Sequence, residues 1–438
     1  MNNKKLIALG MLLIVRGAFA QSAGSSVEIY GTMDIGVGHS QHSLSEDSNF
    51  PINMNPVATK FGDKADTGMF NGGESPSRIG FKGSEDLGSG LKAIFTLETG
   101  FNSPNGVIAN GPASLANNPT KNAAGVAVPQ TTVNADSSLA GQLFNRQAFV
   151  GLSSSELGTF TAGRNYSLGY DTLLAYDPME GSQTFSPFGY SGSYAGGGFT
   201  EDFRIDNSLK YKFASNGINF GALYKLGGQA GATDAQSEVQ LNLGYENGPF
   251  GIQGTYSSVK DGISATNSAI PGEVAISVAD TKAYMLAASF KMNQLRLRGG
   301  YERIEVNNPS NPSNDLGIGN VLGYNVSAVN VNAFATQKTL NVYFAGLTFD
   351  VTPAFSGTFA FYDVKQNDYT TGVDTCPNAT ASTCSGSSKF YSVMGKYKLS
   401  KRTDVYAGYM YNKVDGGMAA GFLHDNNGFF GTGIKHSF

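Results

Sequence analysis

Charged side chains recur at every second position within the apolar stretches of this chain. Arg204, Asp206, Lys210 and Lys212 alternate with Ile205, Leu209, Tyr211 and Phe213. Arg296, Arg298 and Glu302 alternate with Leu295, Leu297 and Tyr301, and Glu28 and Asp34 alternate with Val27, Ile29, Met33 and Ile35. Period two puts each charged set on one face of an extended strand and the apolar set on the other. A charged row is too costly to face hydrocarbon, so it lines water. The chemistry open to such a lining is electrostatic: it attracts, orients or repels what passes along it.

Residues for covalent chemistry are not arranged for it. Nucleophilic catalysis needs a nucleophile, a base and an orienter within reach of one another. Of the four histidines, His39 and His42 fall where the first long connection begins, His424 falls in the last, and His436 sits on an apolar strand face. No Gly-x-Ser-x-Gly elbow precedes a helix, and neither a phosphate-cradling glycine motif nor clustered metal ligands occur. The reading is therefore not an enzyme, with no cofactor and no metal. The only two cysteines, Cys376 and Cys384, stand in the polar stretch Asp374 to Ser388, and in an exported chain such a pair is predicted to close as a loop disulfide.

Export is predicted by the first twenty residues. Lys4 and Lys5 precede an apolar run from Leu6 to Val15, and Ala18-Phe19-Ala20 supplies a small-residue cleavage site. That run is about half the roughly 20 residues a spanning helix needs. Residues 1–20 thus read as a signal peptide and 21–438 as a single domain. Of the 30 Lys and Arg, Lys4, Lys5 and Arg16 leave with the leader; the remaining 27 face 34 acids, a formal charge of −7. No basic patch or tail suggests nucleic acid.

The charged faces are carried by one repeating unit from Val27 to Phe438: about ten alternating residues, then a break, with short and long breaks in turn. Short, turn-rich connections fall at Ser84 to Ser89, Ser153 to Leu157, Ala214 to Gly217, Glu246 to Pro249, Lys291 to Asn293, Asp350 to Pro353 and Leu399 to Arg402. Long ones fall at Gly38 to Ser75, Asn102 to Gln142, Leu168 to Phe203, Gly227 to Gln236, Asp261 to Asp280, Asn307 to Gln337, Gln366 to Ser387 and Asp415 to Asn427. The pattern predicts an all-β fold, a 16-stranded antiparallel transmembrane β-barrel with long extracellular loops and short periplasmic turns. At that size side chains cannot fill the lumen. Tryptophan is absent, so an interfacial girdle must come from the 21 tyrosines and 29 phenylalanines.

Two strands break the alternation. An inward Arg146 takes Ala148, Val150 and Leu152 inward with it, and an inward Arg164 takes Phe160 and Ala162. A bulge, or a wall packed on an inserted loop or a neighbouring subunit, would reconcile these positions.

The chain resembles the trimeric general-diffusion porins of Gram-negative bacteria, most closely the β-proteobacterial type. The resemblance rests on Ser77-Arg78-Ile79-Gly80-Phe81-Lys82-Gly83-Ser84-Glu85-Asp86-Leu87-Gly88, Gly90 to Glu98, Asn145 to Leu152, Gly163-Arg164-Asn165-Tyr166, Arg204 to Tyr211 and the terminal Gly433 to Phe438. It implies an outer-membrane, water-filled channel for passive diffusion of small hydrophilic solutes and ions, assembled as a homotrimer. It implies that the third long loop, Leu168 to Phe203, folds into the lumen. It implies a constriction whose basic side holds Arg78, Arg164 and Arg204 with Lys82, Arg146 and Lys210 as neighbours, and whose acidic side holds Asp177 and Glu180. The ending at Phe438 is similar to the signal read by the outer-membrane assembly machinery; Phe430, Ile434 and Phe438 also share one apolar face.

Three other readings compete. A substrate-selective uptake channel would use Tyr166, Tyr170, Tyr176, Tyr190 and Tyr194 as an aromatic surface. An outer-membrane hydrolase lacks its constellation, and a repeat of soluble β-sandwiches does not account for alternating short and long links. Net charge does not set ion selectivity, because the local field at the constriction does; weak selectivity slightly favouring cations is the expectation.

Overall fold

The computed structural model describes residues 25–43, 62–106, 108, 120–121, 127–128, 143–189, 201–228, 233–234, 236–260, 264–265, 276–277, 280–308, 310, 318–321, 324–327, 336–369 and 383–438. Residues 1–20 and Cys376 lie outside them. Cys384 is disulfide-bonded.

The wall comprises β1 (Ser26–Ser43), β2 (Lys64–Asn71), β3 (Arg78–Gly88), β4 (Leu91–Gly100), β5 (Gln147–Ser154), β6 (Gly158–Tyr166), β7 (Arg204–Ser215), β8 (Ile218–Lys225), β9 (Glu238–Asn247), β10 (Phe250–Val259), β11 (Asp280–Met292), β12 (Leu295–Asn307), β13 (Lys338–Asp350), β14 (Phe355–Gln366), β15 (Gly386–Lys398), β16 (Thr403–Gly416) and β17 (Asn426–Ser437). Each pairs antiparallel with its neighbour, and β17 pairs back onto β1 from Thr32↔Ser437 to Ser40↔Phe429, which closes the barrel. Closure pairs the other strands on both sides, as lipid requires, while β2 pairs with β1 alone among the described residues. These seventeen segments make sixteen spans. β2 runs along the outer half of β1 and β3 along its inner half, so the two are one strand interrupted at residues 72–77.

Six of the seven short connections close hairpins where expected; the first turns later, at Ser89-Gly90, because β3 stays paired with β4 through the expected Ser84 to Ser89 break as far as Gly88. Between β7 and β8 the two-residue turn Asn216-Gly217 has φ of 50° and 82°, the double left-handed turn that matches strand twist. At the outer rim the strands outrun the expectation: β1 continues to Ser43, and the chain is back in the wall by Lys64. These outer residues (Ser40, Gln41, His42, Ser43; Lys64, Asp66, Thr67) are polar, so alternation gives no sign of the strands there.

Apolar residues face outward along the wall, and tyrosines make much of the outer band. Tyr256 meets Tyr284 at 5.3 Å, Tyr301 meets Tyr343 at 5.0 Å, and Phe361 meets Tyr391 at 5.1 Å, all in cross-strand register from β10 to β15.

Both irregular strands resolve through local breaks in the ladder. Val150 and Leu152 are 63% and 40% exposed and face outward, whereas Arg146 precedes β5 and its N–H donates to the Glu98 carbonyl that register pairs with Gln147. Two residues thus oppose one, as in a bulge. Between β6 and β7 the register slips by one between Gly163 and Asn165, with Asn207 at φ 50° on the strand carrying the extra residue. That slip corrects the expected facing of Ile205: it is 3% exposed and packs with Leu168 and Leu223, because the bulge turns it off the outer face.

The main buried apolar cluster lies between the third loop and the wall. Phe185 packs among Phe70, Tyr406 and Phe429, and Phe188 packs on Phe344 and Tyr362. Each fully buried phenylalanine contributes about 1.5–3 kcal/mol to holding the loop inside the barrel.

Candidate functional site at the waist of the barrel

The loop after β6 enters the barrel as a helix, α1 (Leu168–Tyr176), lying against β8 to β12. Ser167 caps it by accepting from the Tyr170 N–H at 3.0 Å, and the Leu168 N–H is taken by Gln240 Oε1 at 2.6 Å. Leu168, Tyr170, Leu173 and Tyr176 are buried. The sequence Asp177-Pro178-Met179-Glu180-Gly181 then turns the chain, with Gly181 at φ 71°. Asp177 organises this turn. Its Oδ1 accepts from Tyr362 O–H at 2.6 Å and from Met179 N–H, and its Oδ2 accepts from Gly181 N–H at 2.8 Å. It is fully buried, and burial pushes its pKa up. The structure therefore makes Asp177 an anchor of the loop rather than a charge displayed to the lumen.

Glu180 is displayed: its side chain is 50% exposed and lies 2.8 Å from Arg298 and 3.9 Å from Arg296, both on β12. Partial burial works against its charge, but Arg298, Lys396 and Arg296 together outweigh it and hold the carboxyl below its ordinary range. A second loop carboxylate, Asp171 of α1, lies 2.7 Å from Lys210 and 2.9 Å from Lys212 of β7, and the two ammonium groups likewise outweigh burial and depress its pKa.

The wall opposite carries a buried carboxylate of its own. Glu98, near the end of β4, lies 2.6 Å from Arg146 and 3.6 Å from Arg78, and accepts hydrogen bonds from the hydroxyls of Tyr30 and Tyr166. Arg146 also stands over the Tyr166 ring at 5.4 Å. Glu74, in the interruption between β2 and β3, lies 3.2 Å from Lys396 and 2.6 Å from Lys435, and Lys435 is also 3.0 Å from Asp404.

The predicted basic residues are thus dispersed over several clusters. Arg78 and Arg146 share Glu98, and Lys210 joins Asp171. Arg204 is buried and in register with Tyr166. Arg164 is buried, ion-paired with Asp206 and bonded to the Asn145 carbonyl oxygen. Lys82 is half-exposed, 3.3 Å from Glu28.

Sequence reasoning missed Glu98, Asp171, Glu74, Arg296, Arg298 and Lys396 as site residues. Glu98, Arg296 and Arg298 were visible as charged positions on alternating strands, but nothing local said that these strands meet the loop. Of the tyrosines considered for an aromatic surface, Tyr170 and Tyr176 are buried and Tyr166 is bonded to Glu98; Tyr190 and Tyr194 lie outside the described residues.

Comparison with known proteins gives one consistent result. A family model described as Gram-negative porin matches residues 8–417. An outer membrane porin protein of Bordetella pertussis is 28% identical over 99% of this chain and its own full length, and outer membrane porin protein 32 of Delftia acidovorans is 25% identical over 68% of each. Among solved structures, an anion-selective porin from Comamonas acidovorans superimposes with a TM-score of 0.61 at 20% identity, covering 95% of this chain and all of that one. OmpT of Vibrio cholerae, solved in a trimer form, gives 0.56 at 14% identity, covering 95% of this chain and all of that one.

Proposed function

This chain belongs to the Gram-negative porin family and forms an outer-membrane channel for passive diffusion, and on that premise we propose that its waist is a weakly anion-preferring filter. One observation carries the reading. Four carboxylates at the waist are each gripped by two cations: Glu98 by Arg78 and Arg146, Asp171 by Lys210 and Lys212, Glu180 by Arg296 and Arg298, and Glu74 by Lys396 and Lys435. Eight bases on four acids leave a positive excess, which Asp404 beside Lys435 only partly offsets. The excess favours anions, and the pairing keeps the preference modest because each acid partly cancels the field of its bases. This sign is opposite to the slight cation preference expected from the sequence, where Asp177 counted as a luminal charge.

Arg78, Arg146, Arg204 and Lys210 form the basic lining, with Lys82 and Arg164 as outlying members; Glu180 and Asp171 are the loop's acids, and Asp177 fixes their frame. The channel catalyses no reaction. The reversal potential across a planar bilayer in a KCl gradient tests the filter, with anion permeability expected to exceed cation permeability. A cation preference refutes it.

The assembly is a homotrimer in this reading. The row of paired outer tyrosines runs from β10 to β15, while the outward residues of β5 and β6 include Ala148, Val150, Leu152, Phe160 and Ala162 and no tyrosine. A wall without a girdle suits contact with another subunit better than an interface with lipid headgroups. A heat-modifiable oligomer in detergent is the check. Phe438 serves the assembly machinery: its backbone pairs with Gly31 in both directions and its ring is 48% exposed on the outer face. Cys376 is the partner of Cys384.

A further inference from the structure

The interruption of the second span is built as a receptor. Residues 72–77 leave the ladder at mid-wall, and the tip of the third loop docks on the carbonyls thereby freed. The Gln183 N–H donates to the Gly72 carbonyl at 3.1 Å, Ser182 Oγ to the Gly73 carbonyl at 2.7 Å, and Thr184 Oγ1 to the Asn71 carbonyl at 3.3 Å, while Asn71 Nδ2 donates to Gln183 Oε1 at 3.0 Å. The fit requires glycine. A Cβ on Gly72, at φ 73°, would stand 2.6 Å from Gln183 Oε1, and one on Gly73 would stand 2.0 Å from the Tyr406 hydroxyl.

Asp34 of β1 holds the interruption in place. It is fully buried, and its Oδ2 accepts from the N–H groups of Glu74 and Ser75 at 2.7 and 2.9 Å while its Oδ1 accepts from Tyr406 O–H at 2.6 Å. Ser77 Oγ bonds both the N–H and the carbonyl of Asp34. The same segment also engages the charges around it: Arg78 Nη1 donates to Ser75 Oγ at 2.8 Å and to the Pro76 carbonyl at 3.0 Å, and Glu74 takes Lys396 and Lys435 from β15 and β17.

We propose that Asp34 is a positioning residue of the channel, which sets its aperture by holding the 72–77 interruption in the shape that seats both the loop tip and Arg78. Asp34 touches no solute. An unbroken strand at 72–77 would spend the carbonyls of Asn71, Gly72 and Gly73 on its neighbour, and the loop tip would lose its seat. Because Asp34, Tyr406 and Lys435 lie on β1, β16 and β17, the seat is complete only once the first and last strands have met. Narrowing of the pore therefore follows barrel closure.

The test is Asp34→Ala in the full-length barrel, read by single-channel conductance and by liposome swelling with neutral sugars of increasing size. Neutral sugars make the result independent of the anion preference. Raised conductance and loss of the size limit are expected, with the heat-modifiable β-barrel intact. Asp34→Asn should restore both toward wild type, since its oxygen can still accept the two N–H groups while its amide donates to the Tyr406 hydroxyl. If Asp34→Ala does not fold, the triple change Ser182→Ala, Gln183→Ala and Thr184→Ala removes the loop's side-chain contacts to the seat and should raise the size limit in the same way. A folded Asp34→Ala barrel, or a folded loop-side variant, that keeps wild-type conductance and size limit overturns the proposal even where its thermal stability falls.

Discussion

Replacing Glu98 by Gln removes the carboxylate on which the basic wall is organised. The consequence follows from burial. Glu98 and Arg146 have side chains only 4% and 5% exposed and lie 2.6 Å apart, so the substitution leaves a guanidinium out of water without its counter-charge. Breaking one partner of such a pair costs about 3–5 kcal/mol. The second pair adds little, since Arg78 is 3.6 Å away and 25% exposed, and exposed pairs contribute roughly 0–1 kcal/mol. Arg146 keeps its place over the Tyr166 ring at 5.4 Å, which is worth about 0.5–2 kcal/mol and is the same in both proteins. Glu98→Gln should therefore unfold from detergent in denaturant with a loss of roughly 3–5 kcal/mol. Its reversal potential should move further toward anions. Removing both charges, as Glu98→Gln with Arg146→Met, should recover most of the lost stability, because no unpaired charge stays buried. A single variant as stable as wild type, or a double variant no better than the single, would refute the reasoning.

Four further outcomes are expected. Arg296→Glu with Arg298→Glu should shift the reversal potential toward cations, whereas Glu180→Gln should shift it toward anions; no shift in either would remove the β12 cluster from the filter. Asp171 and Glu180 have depressed pKa values, so the stability their pairing gives is present above the ordinary carboxylate range and is lost only as pH falls through their lowered values. Reversal potentials should accordingly stay level as pH falls through the ordinary carboxylate range and turn toward anions only below it, and a turn above that range would contradict the assignment. Glu201, buried beside Ser257 at the return of the same loop, is pushed up to about 7 by burial and by the Glu238 carboxylate. A raised value reverses the sign: its stabilisation is full below the ordinary range and fades as pH rises through 7. Hydrogen exchange in 168–176 should therefore quicken from pH 6 to 8 beyond its intrinsic change, and Glu201→Gln should abolish the excess. Thiol alkylation of the unreduced, unfolded protein should label neither Cys376 nor Cys384; labelling of either denies the disulfide.

The strand pattern alone specified the barrel. Period-two alternation and turn residues such as Asn216-Gly217 act between near neighbours, and a membrane leaves few solutions for them, so strand number, closure and the facing of regular strands were legible without coordinates. The same local rule failed wherever a distant partner decided the outcome. Ile205 turns inward because a bulge at Asp206-Asn207 shifts one ladder. Residues 72–75 read as the end of a long loop and Ser77 as the start of a strand, yet 72–77 are a gap in the wall shaped by Asp34 and filled by Gln183. The waist was legible only as a cast of charges. Glu180 was placed by its turn, but Asp171 takes the luminal role expected of Asp177, because Lys210 and Lys212 reach Asp171 while Tyr362 encloses Asp177. Sequence determines which residues can bear charge in a lumen. Which of them remains a field and which becomes an anchor depends on burial and counter-charge, and these are set by where a loop of 36 residues comes to rest against strands as distant in sequence as that of Phe429.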